Sequence, residues 1–200
     1  MWLLRFDEEE VAITLVADVG ENPLIDAVGV GDDARSGGLP ENFLQSDDSN
    51  GVGGAFASFK LAQTFTPPTD VYVQWADALV IRQGRDFVAT CALYTTSGGF
   101  PTGTRVARGS TMTAVGSDPA WSTCTFLDGN GNPKPVSLVG GAQYALVISW
   151  SGGNGSNTLL WRTDSTDPTY AGGNALRSRS SGAWDRTTPL PTYDNMFRLR

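Results

Sequence analysis

Histidine is absent from all 200 residues. That removes histidine triads, histidine general bases and nearly all imidazole-held metal or haem sites. Only two cysteines are present, too few for a four-thiolate metal site. Charged residues make up 18% of the chain, short of the roughly 25% of an ordinary soluble domain. Long apolar runs are missing too: the longest, Val11–Ala17, is strand-length, far below the roughly 18–20 residues of a membrane span. Met1–Phe6 leads directly into Asp7-Glu8-Glu9-Glu10, so neither a basic n-region nor an apolar h-region of a signal peptide is seen. The expectation is a protein made in a cytoplasm without standard secretion and with no membrane partner.

What the chain does have is turn chemistry. It carries 24 glycines and 11 prolines, a share above the usual one. Between the turns, runs of about five to nine residues alternate apolar and polar with period two. Val71, Val73 and Trp75 alternate with Tyr72, Gln74 and Ala76, ahead of an apolar patch at Ala78–Ile81. Phe87, Ala89, Cys91 and Leu93 share one face, with Val88, Thr90, Ala92 and Tyr94 opposite. Further runs fall at 105–113, 121–127, 142–150, 158–162, 174–179 and 195–200. They are separated by turns such as Ser97-Gly98-Gly99 and Asp128-Gly129-Asn130-Gly131. Short strands at this spacing, without a 3.6-residue period, predict an all-β sandwich or barrel. The stretch Ile25–Gly54, rich in Gly, Asp, Asn and Ser, reads as loop or arm.

Charge is distributed unevenly. Residues 1–50 contain twelve acids and two bases, Arg5 and Arg35, for a net −10. Residues 51–200 contain nine acids and twelve bases, ten of them arginine, for a net +3. This suggests an N-terminal acidic arm over 1–53 on a mildly basic body over 54–200. Such a balance disfavours nucleic acid, whose phosphates need clustered positive charge. The arm reads either as a solubilising segment or as an element that docks on a basic surface. Its apolar runs Trp2–Phe6 and Val11–Ala17 favour docking by burial or strand addition, with Trp2, Leu4, Phe6, Glu8, Glu9 and Glu10 as the candidate contacts.

From about Gly54 onward the blocks become more specific. They are Ala62-Gln63-Thr64-Phe65-Thr66-Pro67, Leu93–Gly103 with its Ser-Gly-Gly-Phe-Pro-Thr-Gly core, Trp121–Phe126, and Gly141–Ile148. Tyr170–Ala175, Gly182-Ala183-Trp184 and Asp194–Leu199 close the series. In this order they resemble a jelly-roll β-sandwich module of phage virion proteins and of bacterial choice-of-anchor-type surface proteins. The resemblance spans roughly 54–200 and implies an antiparallel jelly-roll β-sandwich. It implies a role in decorating capsids, forming spikes or binding glycans. The acidic first fifty residues have no counterpart in it.

Candidate chemistry is sparse. Asp128-Gly129-Asn130-Gly131-Asn132 imitates the opening of a calcium loop, but Pro133 and Val139 stand where an EF-hand needs glycine and a carboxylate, so it reads as a hairpin turn. Asp47-Asp48-Ser49-Asn50-Gly51 reads as an Asx-rich loop. Asp164 and Asp167 flank a turn, with nothing in the sequence to bring them together. Cys91 and Cys124 fall on inward-facing positions; without a secretion signal they read as two buried thiols rather than an inter-sheet disulfide. Aromatics supply the remaining option, a flat face on which a sugar ring stacks. Trp75, Trp121, Trp150 and Trp161 suit core or rim packing, whereas Trp184 is the best candidate for exposure. With it, Tyr170 is a candidate stacking residue, and Arg162, Arg177 or Arg179, Asn174 and Asp185 are candidates for hydrogen bonds to a ligand.

The expected function is therefore a non-enzymatic virion structural protein, a capsid decoration or spike component assembled in the host cytoplasm. Its expected partners are capsid or tail proteins and further copies of itself, with no metal and no cofactor. The alternative is a carbohydrate- or receptor-binding module on a phage or bacterial surface.

Overall fold

The computed structural model describes residues 41–42, 51–55, 60–84, 88–113, 117–150, 156–164, 170–178, 183–186 and 193–200. The chain divides into a unit Met1–Arg35 and a unit Ser36–Arg200, and every described residue falls in the second. The described residues form fifteen strands and no helix. In chain order they are β1 (Glu41–Asn42), β2 (Gly51–Ala55), β3 (Lys60–Phe65), β4 (Val71–Val73), β5 (Trp75–Gln83), β6 (Val88–Ser97), β7 (Phe100–Thr113) and β8 (Ala120–Leu127). Then come β9 (Val136–Leu138), β10 (Tyr144–Trp150), β11 (Thr158–Asp164), β12 (Ala175–Ser178), β13 (Trp184–Arg186), β14 (Asp194–Asn195) and β15 (Phe197–Leu199). The fold is an all-β antiparallel sandwich.

One sheet runs β13-β12-β3-β10-β6-β7. In the other, β5 pairs with β8 on one side and, on the other, with β15 and β11 lying end to end along it. The sheets are not separate. β7 pairs with β6 along most of its length and with β8 at Arg108↔Leu127 and Gly109↔Phe126, which closes one side through the backbone. A short β4–β9 ribbon stands apart, with Tyr72 opposite Ser137.

Alternation sets the core. Tyr144, Leu146, Ile148 and Trp150 of β10 point into the main core with Leu61, Phe65, Leu93, Phe126, Trp161 and Phe197. The intervening Ala145 and Val147 point the other way and meet Ala62 and Leu176 in a smaller cluster. Both faces of β10 are thus buried from Tyr144 to Ile148, which explains why its sequence lacks a polar face. Between β6 and β7 the chain reverses in two residues, Gly98 (φ 59°) and Gly99 (φ 82°). Positive φ at both central positions defines the hairpin turn that matches strand twist, and glycine adopts it without steric cost.

Two sequence expectations are corrected here. Cys91 and Cys124 are not free thiols: they form a disulfide between β6 and β8, Cα atoms 6.3 Å apart and 33 residues apart in sequence. Their inward parity places both sulfurs in the space between the sheets. Reading them as thiols leaned on an expected cytoplasmic origin, whereas pairing depends on distance in the fold. The second correction concerns Ile25–Gly54, read as loop or arm. Within it, β1 pairs with β15, and β2, crossing position 54, pairs with β11 from Leu159↔Ala55 to Thr163↔Gly51. Gly51-Val52-Gly53-Gly54 has low strand propensity, yet a ladder needs only backbone N–H and C=O groups.

Candidate functional site

β12 and β13 form the hairpin that ends the first sheet, with Ser178 opposite Trp184 and Leu176 opposite Arg186. This register puts Trp184 on the outer face, the one opposite the main core. There the half-buried indole packs beside Tyr94 and Phe100 on Ala62, Ala145, Val147 and Leu176. Together with Lys60, Pro101, Thr102 and Gly103, Trp184 and Tyr94 line a groove of about 340 Å³. The Gly98-Gly99 turn brings Pro101–Gly103 back beside Tyr94. Thr102 is fixed there: its hydroxyl lies 2.6 Å from that of Thr95 and accepts the Thr104 amide at 3.0 Å. Two aromatic side chains, an exposed ammonium and a hydroxyl around a shallow apolar floor suit the stacking and hydrogen bonding of a sugar ring.

The other candidate ligand residues do not join this groove. Tyr170 packs edge-on to Phe197, ring centroids 5.3 Å apart, and burial pushes its hydroxyl up to about 12. Asn174 is a splint: its amide donates to the Thr64 hydroxyl at 2.8 Å and its carbonyl accepts the Thr64 amide at 3.0 Å. Arg177 sits one position from Ser178, hence at a register position of the opposite face, paired in the ladder with Asp185 on one side and Leu61 on the other. Of Asp185 only the backbone is described. Trp2, Leu4, Phe6, Glu8, Glu9, Glu10, Asp47, Asp48, Asp167 and Arg179 lie outside the described residues.

Trp121, Trp150 and Trp161 are structural. Trp161 is fully buried and donates its ring N–H to the Met196 carbonyl at 2.8 Å. Trp150 is buried as well. Trp121 carries the Arg198 guanidinium 3.9 Å above its ring. Sequence reading missed Tyr94 and Lys60 as groove residues. Period two already put Tyr94 on the face opposite Cys91 and Leu93, and that was the available signal.

Asp164 meets a carboxylate other than the one its own turn suggested. It is the ladder partner of Asp194 where β11 pairs with β14, and both residues are buried. Burial, opposed by a hydrogen bond from Gln63 and reinforced by the Asp164 charge, raises Asp194 to about 7. Neither carboxyl lines the Trp184 groove. Asp128 closes its turn as the hairpin reading expects: one carboxylate oxygen accepts the amides of Asn130 at 2.8 Å and Asn132 at 2.9 Å. The Asn132 amide in particular holds its pKa below the usual value. Among the described residues no group of three or more His, Cys, Asp or Glu side chains is arranged to hold a metal ion. No helix among them is long and apolar enough to cross a membrane. No family model, no curated protein and no solved structure matches the chain.

Proposed function

We propose that the chain is a non-enzymatic structural component of a virion, a capsid decoration or spike subunit with the sandwich as its outward body. The observation that supports this reading is the disulfide between the two sheets. A cytoplasm keeps thiols reduced, whereas virion and cell surfaces allow the bond to form and persist. The sandwich is stapled for life outside the cell, and a decoration or spike reaches that environment only after particle release. The acidic segment ahead of the body supplies charge for docking on capsid or tail proteins, and further copies complete the assembly. Density-gradient fractionation of particles released from the cells that encode the chain tests this. The chain should band with intact particles and migrate as a disulfide-bonded species without reductant. A chain that stays soluble while complete particles band elsewhere overturns the reading.

A second reading, a carbohydrate-binding module, is favoured by the Trp184–Tyr94–Lys60 groove. Glycan-array binding that disappears in Trp184→Ala and weakens in Lys60→Gln supports it, and an array without signal removes it.

A further inference from the structure

A second, larger groove of about 760 Å³ lies between β7, the Asp128 turn and the β4–β9 ribbon. Its lining includes Tyr72, Arg105, Arg108, Asp128, Lys134 and Val136. Arg105 and Arg108 are three positions apart, so in a regular strand they would point to opposite faces. A β-bulge prevents this. Leu93 pairs with Ala107 and Tyr94 with Arg105, leaving Val106 as the extra residue. The shift turns Arg105 and Arg108 to the same side, and bulges that re-aim side chains are concentrated near binding sites. Lys134 comes from the far end of the Asp128 turn, where its amide donates to the Phe126 carbonyl at 2.9 Å. Among the described residues no ion pair engages Arg105, Arg108 or Lys134. The one carboxylate in the groove, Asp128, already accepts two amides of its own turn. Tyr72 is 76% exposed. It is the most exposed of the large hydrophobic side chains among the described residues, ahead of Val88 and Val139.

We propose that this groove binds an acidic oligosaccharide of low charge density, one carboxylate per one or two sugar rings. Three separated cations match spaced carboxylates, and Tyr72 with the apolar stems around it offers a face for a pyranose ring. Along the described β7–β8 pairing only Arg108 and Gly109 have partners. The β7 edge at Arg105–Ala107 therefore keeps its outward backbone groups for sugar hydroxyls. A nucleic acid is disfavoured on charge density: one phosphate per ~1.7 Å of duplex faces a protein whose net charge is −7. A uronate oligomer pays far less of that repulsion. The site uses residues distinct from the Trp184 groove and does not depend on a structural role in a virion.

The test is calorimetric titration of the full chain at low ionic strength with three probes: an oligogalacturonate, a neutral maltooligosaccharide and a short DNA duplex. Binding of the oligogalacturonate alone is expected, weakening about tenfold between 20 and 200 mM salt as the ion pairs are screened. Arg105→Gln combined with Arg108→Gln should abolish the heat, and Tyr72→Ala should weaken binding about tenfold with an unchanged melting temperature. Trp184→Ala should leave it intact. Equal binding of the neutral sugar, tighter binding of DNA, no binding of the oligogalacturonate, or full binding by the double variant would each overturn the proposal.

Discussion

Gln63 donates a hydrogen bond of 2.9 Å from its amide nitrogen to Asp194, 131 residues later in the chain. It links β3 of one sheet to β14 of the other. The same Gln63 side chain accepts the Asn195 amide at 2.6 Å, and Asn195 in turn donates from its side chain to the Ala62 carbonyl at 3.0 Å. β7 closes one side of the sandwich through its backbone, and this amide network ties the sheets together at the other. Every member is buried, so removing one partner strands the next.

Asp194 makes the network pH-dependent. Its folded pKa of about 7 lies above the ordinary 3.8, so the folded state holds a proton that the unfolded chain has released. Its stabilising contribution is full below about pH 4, falls as pH rises toward 7, and is gone above that. Asp194→Asn keeps the acceptor for Gln63 and removes the buried charge. Thermal melts from pH 4.5 to 8 should show a shallower decline for the variant. Above pH 7 it should be the more stable protein, by on the order of 2–4 kcal/mol. A wild-type curve that rises over this range would contradict the assignment.

The disulfide has a neighbour chosen to fit it. A Cβ built on Gly109 would overlap both the Cys91 and Cys124 sulfurs and approach the Cys91 carbonyl to 2.9 Å. Gly109→Ala should therefore destabilise the fold by about 1–3 kcal/mol through overpacking. Replacing both cysteines by alanine should cost about 3–4 kcal/mol, the loop-closure value for a span of this length. The two changes should not fully add: in the Cys91→Ala, Cys124→Ala background both sulfur overlaps are gone and only the approach to the residue 91 carbonyl remains. Urea melts of the four proteins give the coupling directly, and strict additivity would sink this account of Gly109.

Trp184 serves packing as well as any ligand. Its indole covers the small cluster of Ala62, Ala145, Val147 and Leu176, so Trp184→Ala should lower stability by about 1–3 kcal/mol. Lys60, exposed at the rim of the same groove, should tolerate Lys60→Gln within about 0.5 kcal/mol. Paired melts and sugar titrations of both variants separate the roles. Unaltered stability in Trp184→Ala would mean that the ring does not cover the cluster.

Much of the body was legible in the sequence because period-two alternation and glycine turns are local signals. Ala89, Cys91 and Leu93 are buried as their parity predicts, and the Ser97–Phe100 reversal falls where two glycines stand. Four features were not legible locally. The cysteine pairing depends on which strands face each other across the core. β2 carries almost no side-chain signal, since three of its five residues are glycine. The bulge at Val106 changes which face Arg105 occupies without any glycine or proline to announce it. Gln63, read as part of a strand block, gave no hint of a partner more than a hundred residues away.

The low-propensity strand β2 leads to the last prediction. It covers the outer edge of β11, pairing at five positions from Leu159 to Thr163. A chain of residues 36–200 keeps this ladder and should unfold in one cooperative transition. A chain of residues 56–200 loses it and bares the β2-facing backbone groups of Leu159–Thr163, beside a buried Trp161, while the pairing with β5 and β14 stays. At about 1 kcal/mol for each ladder hydrogen bond, the cost should be about 3–5 kcal/mol. The bare edge is also a template for pairing with another chain, so the shorter protein should self-associate as concentration rises. Circular dichroism melts and light scattering on the two truncations decide the matter. If both unfold at the same temperature and both stay monomeric, β2 is an ornament on the sheet and the sandwich ends at β11.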